Sequence, residues 1–191
     1  MSSNSSSRFQ VAVVGGGIVG KACALLLAQQ GMQVALAAPR PAAEGARRGD
    51  DDWDARIYAF SASSQALLER LRVWEALDPA RVQPVRDMRV FGDESAAETD
   101  PSLDGDLHFS AYAAAVPQLA WIVESGHVER VLDTALRFQH QVKWFDDTAT
   151  GLERGVDGVT LTLASGAQVR ANLLVGADGS RSWVRQQCHI G

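Results

Sequence analysis

The chain of 191 residues is poor in several things that would send its chemistry elsewhere. It has two cysteines, Cys23 and Cys188, far apart and matching no zinc or CxxC spacing. Neither a disulfide scaffold nor a thiolate metal site is therefore expected, and both thiols read as reduced in a cytosolic protein. The four histidines, His108, His127, His140 and His189, show no HxxxH or HExxH spacing and read as surface or packing residues, so no metal is assigned. Positive charge is scarce: 18 Lys and Arg stand against 23 Asp and Glu, a net charge of -5, with no basic run beyond Arg47-Arg48. That argues against a nucleic-acid partner. An uninterrupted apolar run is missing too, because Val11 to Ala28 is broken by Gly15, Gly16, Gly17, Gly20 and Lys21, and Met1 to Ser7 is a Ser/Asn tail rather than a basic leader. Neither a membrane span nor a signal peptide fits. What remains, 46% hydrophobic and 21% charged, suits a soluble globular domain with a sizeable core.

The order of elements points to an α/β fold. Phe9 to Val14, FQVAVV, is too short for a buried helix and stops at three glycines, as a strand buried on both faces does. Ile18 to Gln30 carries Val19, Cys23, Leu26 and Leu27 at helical spacing, with Gly31 placed to end the helix. Gln33 to Ala37 is a second buried strand, completing a βαβ unit with a right-handed crossover. Pro39 to Asp54 reads as a solvated loop. Ser61 to Trp74 reads as an amphipathic helix with serine caps and Leu67, Leu68, Leu71 and Trp74 on one side. Val85 to Phe91 and Leu107 to Ala113 read as strands joined by a loop, Gly92 to Asp106. A helix over Ser125 to Gln139 follows, burying Val128, Val131, Leu132, Ala135 and Leu136. The short strands Val142 to Phe145, Val159 to Leu163, Ala167 to Arg170 and Asn172 to Val175 close the order, with a hairpin turn at Ser165-Gly166.

The sharpest local signal is GGGIVG. Gly15, Gly17 and Gly20 fill a GxGxxG pattern between a strand and a helix that begins at Ile18. The first glycine permits the tight turn, the second a close approach by pyrophosphate, and the third close packing of helix on strand. Phosphates would meet the positive end of the helix. An acid that bonds the adenosine ribose is expected about 20 residues on, but the second strand ends Ala37-Ala38-Pro39-Arg40. Arg40 can be read as a partner for a 2'-phosphate, favouring NADP, or as a solvated loop residue with the ribose held by backbone groups.

Later segments carry a resemblance. Asp54-Ala55-Arg56, followed by Ala59, Ser64, Leu68, Leu71 and Trp74, resembles the "DxR" region of the flavoprotein aromatic hydroxylases, and most closely the branch that hydroxylates ubiquinone precursors. WIVESGHVERVLDTAL, Trp121 to Leu136, is similar to that branch's strand-into-helix segment. LLVGADGSRSWVR, Leu173 to Arg185, resembles the "DG" motif of the same class. Two departures stand out: Arg72 where the family's helix usually ends in glycine, and Ala38 in place of the ribose-binding acid.

The resemblance implies a Rossmann-like FAD-binding domain of the para-hydroxybenzoate-hydroxylase type with part of a substrate-domain sheet. Its implied divisions are a disordered tail at 1-8, a first FAD-binding part at 9-84, partial substrate-domain strands at 85-116, and a second FAD-binding part at 117-191. It gives Gly15, Gly17, Ile18 and Gly20 to the FAD pyrophosphate. Arg56 would reach the pyrophosphate and ribityl region. Ser125 stands where the family usually has an amide near the flavin, and Asp178-Gly179 would help hold FAD and admit NAD(P)H. The implied reaction consumes NAD(P)H and O2 and hydroxylates an aromatic or prenylated phenol, with the flavin doing the hard chemistry, so no catalytic acid, base or nucleophile is nominated. Family members continue past Gly191 into a "GD" motif, so the chain is expected to be the N-terminal part of a hydroxylase, truncated before its second half, weak alone in FAD binding and catalysis. A prenylated substrate would imply a cytoplasmic protein peripheral to the inner membrane or in a multiprotein assembly, though no basic amphipathic helix is present to anchor it. An NADP-binding Rossmann oxidoreductase and a non-catalytic binding domain remain alternatives.

Overall fold

In the computed structural model the described residues are 8–40, 54–91 and 107–191. The tail and most of both predicted loops lie outside them. The chain divides into two compact units, one holding residues 8–40 and 128–191 and the other residues 54–91 and 107–127.

The first unit is built on a six-stranded sheet: β1 (Phe9–Val14), β2 (Val34–Ala37), β8 (Val142–Phe145), β9 (Ala149–Gly155), β10 (Gly158–Leu163) and β11 (Gln168–Gly176). Their spatial order is β8-β2-β1-β11-β10-β9, in which β8, β2, β1 and β11 run parallel and β11, β10 and β9 form an antiparallel meander. Five of six residues of β1 and all of β2 are buried, as continuous apolar strands in a covered parallel sheet should be. Helix α1 (Ile18–Gln29) joins β1 to β2 and buries Ala24, Leu25 and Ala28. A fully buried Leu such as Leu25 stabilises by about 1.5–3 kcal/mol. Phe9, Val14, Leu161, Leu163, Val169 and Val184 belong to one packed cluster on this sheet.

Lys21 departs from the apolar rule. It sits in α1 with its side chain wholly buried, 2.9 Å from Asp133 and 3.3 Å from Glu129 on α3 (Ser125–Arg137). A charge without water is tolerable only when paired in this way. Lys21 thus fastens α1 to α3 through paired charge.

The second unit holds an antiparallel sheet of β3 (Ile57–Phe60), β7 (Ala120–Glu124) and β4 (Val82–Val85), with a separate hairpin of β5 (Asp87–Val90) and β6 (Leu107–Ser110). Helix α2 (Ala62–Arg70) starts where Ser61 accepts the Ser64 N–H, at 3.3 Å. It stops well short of the predicted Trp74, because Arg72 takes a left-handed φ of 60° and a 3-10 turn follows over Trp74–Ala76. That is the position where the family pattern has glycine, and the conformation costs a side-chain-bearing residue about 1–2 kcal/mol. Leu68 and Leu71 are buried as expected, whereas Leu67 is largely exposed.

Other boundaries differ from the sequence reading for local reasons. The strand expected over Val85 to Phe91 is two strands, β4 and β5, belonging to different sheets. The strand expected over Leu107 to Ala113 ends at Ser110, where a hydrogen-bonded turn begins. The two strands expected at Ala167 to Arg170 and Asn172 to Val175 are one, β11, whose first half pairs with β10 and whose second half pairs with β1. The Ser165-Gly166 turn is present, with Gly166 at φ +84°.

Candidate functional site

Strand β1 has β2 on one side and β11 on the other, and its C-terminal end is where the chain's connections diverge across the sheet. Open α/β sheets bind ligands at such a point. Both turn motifs meet there. Val14 pairs with Gly176, and the Ala177 N–H donates to the Val14 carbonyl at 2.8 Å, so GGGIVG and the Asp178-Gly179 turn leave the sheet side by side.

Their contact explains two of the glycines. Gly15 has φ +124°, and a Cβ there would lie 2.1 Å from the Ala177 carbonyl oxygen. A Cβ on Gly20 would lie 2.0 Å from the Gly15 carbonyl oxygen. Gly17 is different: a Cβ there would meet nothing within 4 Å. It is the N-cap of α1, with no side-chain cap and no acidic residue in the first turn. Helix geometry leaves the first backbone N–H groups, including that of Ile18, without helical acceptors, and the macrodipole makes that end positive. An uncapped helix end beside an open glycine is a cradle for a phosphate group, and these residues fit the pyrophosphate of a dinucleotide.

Asp178 is occupied by its own turn. Its carboxylate accepts the Ser182 hydroxyl and, at 3.1 Å, the Val184 N–H, while Ser182 caps the short helix α4 (Trp183–Gln187) by accepting the Arg185 N–H at 3.0 Å. Burial pushes the carboxyl up, but the bonds from Ser182 and Val184 outweigh it and hold Asp178 below the usual carboxylate range. Gly179, at φ +86°, makes the left-handed step of the turn.

Arg40 lies three residues beyond β2. Its guanidinium is laid over the Trp144 ring at 4.9 Å, and its backbone N–H donates to Asp146 at 2.7 Å. Trp144 is fixed in turn by its indole N–H, which donates to the Ala38 carbonyl at 2.9 Å. Trp144 and Asp146 had no signal in the linear sequence, since both lie more than a hundred residues from Arg40.

The remaining two site residues belong to the second unit. The DxR segment is fastened by its aspartate: Asp54 accepts the Arg56 N–H at 2.9 Å and the Gly126 N–H at 3.0 Å, and its own N–H donates to Glu124 at 2.7 Å. Glu124, almost fully buried, also accepts Arg81 through both oxygens, at 2.9 and 3.0 Å. Ser125 is buried at the start of α3 and donates its N–H to the Arg56 carbonyl at 2.8 Å. The result holds the Arg56 backbone firmly while its side chain stays 78% exposed. Glu124 and Arg81 are positioning residues that sequence reasoning missed.

The FAD binding domain family matches residues 8–191. The chain belongs to that family. It is 36% identical over 186 residues to the 3-demethoxyubiquinol 3-hydroxylase of Escherichia coli K12, covering 95% of this chain and 44% of that protein. It is 34% identical over 182 residues to the ubiquinone hydroxylase UbiL of Rhodospirillum rubrum, covering 95% of this chain and 39% of the relative. The chain thus spans less than half the length of these curated relatives. A variant of PqsL from P. aeruginosa superposes with a TM-score of 0.72 at 19% identity, over 96% of this chain and 46% of that one, which shows a shared fold. The Rossmann-like α/β fold expected from the sequence is the one observed.

Proposed function

We propose that this chain is the FAD-binding portion of an NAD(P)H-dependent flavin monooxygenase that hydroxylates an aromatic ring, with a ubiquinone precursor as substrate class. The observation that carries the reading is the uncapped N-terminus of α1 beside Gly17, at the sheet's switch point, in a chain 36% identical to a 3-demethoxyubiquinol hydroxylase. Gly17, Ile18 and Gly20 hold the pyrophosphate through backbone N–H groups and the helix dipole, while Gly15, whose own N–H donates to the Ala37 carbonyl at 3.1 Å, makes the tight turn that presents them. Arg56 supplies a forked cation for anionic oxygens, and its immobile backbone limits the entropy lost when it binds. Asp178 and Gly179 shape the turn that backs the glycines, and Ser125 fixes the Arg56 carbonyl. Held there, FAD would supply the acceptor for a hydride from NAD(P)H and the means of activating O2 for hydroxylation of the ring.

Among the described residues no helix is long and apolar enough to cross a membrane. Contact with a prenylated substrate would then be made peripherally or through a protein partner.

Arg40 on Trp144 favours one competing reading, an NADPH site, because a guanidinium at the end of β2 suits a 2'-phosphate. A titration of the purified chain with FAD, NADPH and NADH, followed by flavin and tryptophan fluorescence, separates the two. Saturable one-to-one FAD binding supports the monooxygenase reading. A response to NADPH with none to FAD overturns it in favour of the dehydrogenase class, and no response to any of the three points to a non-catalytic binding domain.

A further inference from the structure

The FAD reading leaves a gap at the adenosine end. Dinucleotide sites of this architecture place a carboxylate at the end of the second strand, where it accepts a ribose hydroxyl, and here that residue is Ala38. Ala38 is buried, and its Cβ lies so close to the glycine turn that a Cβ on Gly16 would come within 2.9 Å of it. The position is therefore beside the phosphate cradle, but it offers no hydrogen-bonding side chain.

A carboxylate nevertheless stands next to it. Strands β2 and β8 are parallel, with Ala37 paired to Phe145, and the Ala38 N–H continues the ladder to the Phe145 carbonyl at 3.1 Å. One residue further in the same register, Ala38 lies beside Asp146, a single strand spacing of about 4.8 Å away. Two adjacent aspartates follow β8, and they are used to different degrees. Asp147 spends both oxygens on backbone, accepting the Thr148 N–H at 2.7 Å and the Ser165 N–H at 3.1 Å. Asp146 is exposed and uses Oδ1 to accept the Arg40 N–H. A carboxylate has about four lone-pair sites, so one such bond leaves most of its accepting capacity in place. The Arg40 main chain is held by that bond, and the Arg40 guanidinium is held on Trp144, which is itself tied to the Ala38 carbonyl. A main-chain donor and an aromatic platform thus fix the place of the Asp146 carboxylate at the C-terminal edge of the sheet.

We propose that Asp146 is the carboxylate that receives the adenosine ribose of FAD, moved one strand across from the position where β2 lacks it. The assignment rests on the FAD reading above. It makes the 2'-hydroxyl of the adenosine a donor to Asp146, with Arg40 and Trp144 as positioning residues.

The test compares FAD with its 2'-deoxyadenosine analogue, titrated against the purified chain by fluorescence. The parent should bind FAD about tenfold more tightly than the analogue, the effect of one hydrogen bond to a charged group. Asp146→Ala should bind both about equally, at the parent's affinity for the analogue, with an unchanged circular dichroism spectrum. If that variant melts far below the parent, Asp146→Asn, which retains an acceptor for the Arg40 N–H, is read instead and should show reduced discrimination. Equal binding of the two dinucleotides by the parent, or full discrimination in the folded variant, overturns the assignment while FAD binding stands. Because the chain alone is expected to bind FAD weakly, the titrations extend to millimolar dinucleotide; a folded parent that shows no saturable FAD binding even there overturns the underlying reading and takes this assignment with it.

Discussion

Strands β1 and β11 end side by side, and each passes through a turn into a helix, yet the two junctions meet the same need in opposite ways. At the end of β11 side chains answer donors at the start of the helix: Asp178 takes the Ser182 hydroxyl and the Val184 N–H, and Ser182 takes the Arg185 N–H. At the end of β1 no side chain caps the helix at all. The first junction is finished by the protein alone. The second has no such cap, and Gly15 and Gly20 are there because backbone fills the space a side chain would need, while the space at Gly17 is open, the place we propose for the cofactor's phosphates. A helix end that is well capped is stable and closed, and one that is uncapped is available.

The largest effect should come from giving the open junction side chains where backbone already lies. Gly20→Ala and Gly15→Ala each force a Cβ to about 2 Å from a carbonyl oxygen, and each should cost roughly 3 kcal/mol or more. Chemical denaturation would register this as a marked fall in midpoint or as loss of folded protein. A midpoint close to the parent's for Gly15→Ala would show that the two turns are not in contact, and one for Gly20→Ala that α1 does not pack on the glycine turn.

Next comes the closed junction. Asp178→Ala removes the acceptor of two partly buried donors and should cost about 1–3 kcal/mol. Its pH dependence has a definite sign. The folded carboxyl lies below the usual range, so its contribution is full above the unfolded value of about 4 and is lost as pH falls through the folded value. Melting temperatures of the parent and Asp178→Asn, measured from neutral pH downward, should therefore converge below about pH 4. A gap that widened on acidification would reverse the assignment.

Gly17→Ala sharpens the contrast most directly. The new methyl meets nothing, so stability should move by no more than ~0.5 kcal/mol. FAD affinity should nevertheless fall by about tenfold or more, since the methyl occupies the approach to the N–H groups. Unchanged affinity in a calorimetric titration would remove Gly17 from the cofactor site. The smallest effect reverses the logic at the end of α2. There Arg72 holds φ 60° without being glycine, and Arg72→Gly should stabilise by about 0.5–1 kcal/mol, visible as a melting temperature raised by a few degrees.

The legible parts of this chain are those whose cause is local. FQVAVV and QVALA announce buried parallel strands because burial on both faces demands apolar residues throughout, and the glycine turn announces itself because each glycine answers a nearby steric need. Strands β3 and β9 carried no such mark. IYAF leaves three of its four residues exposed, and ATGLERG carries a single large apolar residue, Leu152, so pairing alone makes them strands. Lys21 read as no more than a charge that rules out a membrane span, because the Glu129 and Asp133 that allow its burial come from a distant helix. Asp146 was hidden in the same way: only the register of β2 on β8 brings it beside Ala38. In the DxR segment the arginine was legible and its support was not, since Glu124 and Arg81 approach from two other places in the chain.

The contact between Gly15 and the Ala177 carbonyl also has a meaning in time. On the ribosome β1 and the glycine turn emerge well before β11, yet β1 pairs with β11, from Phe9 opposite Ala171 to Val14 opposite Gly176. Until residue 177 has been synthesised, one edge of β1 has no partner and the turn has no wall to rest against. Pairings between distant segments of a chain form slowly and late. The glycine turn, made well before its partner, therefore cannot reach its final packing until the chain has been made through Ala177.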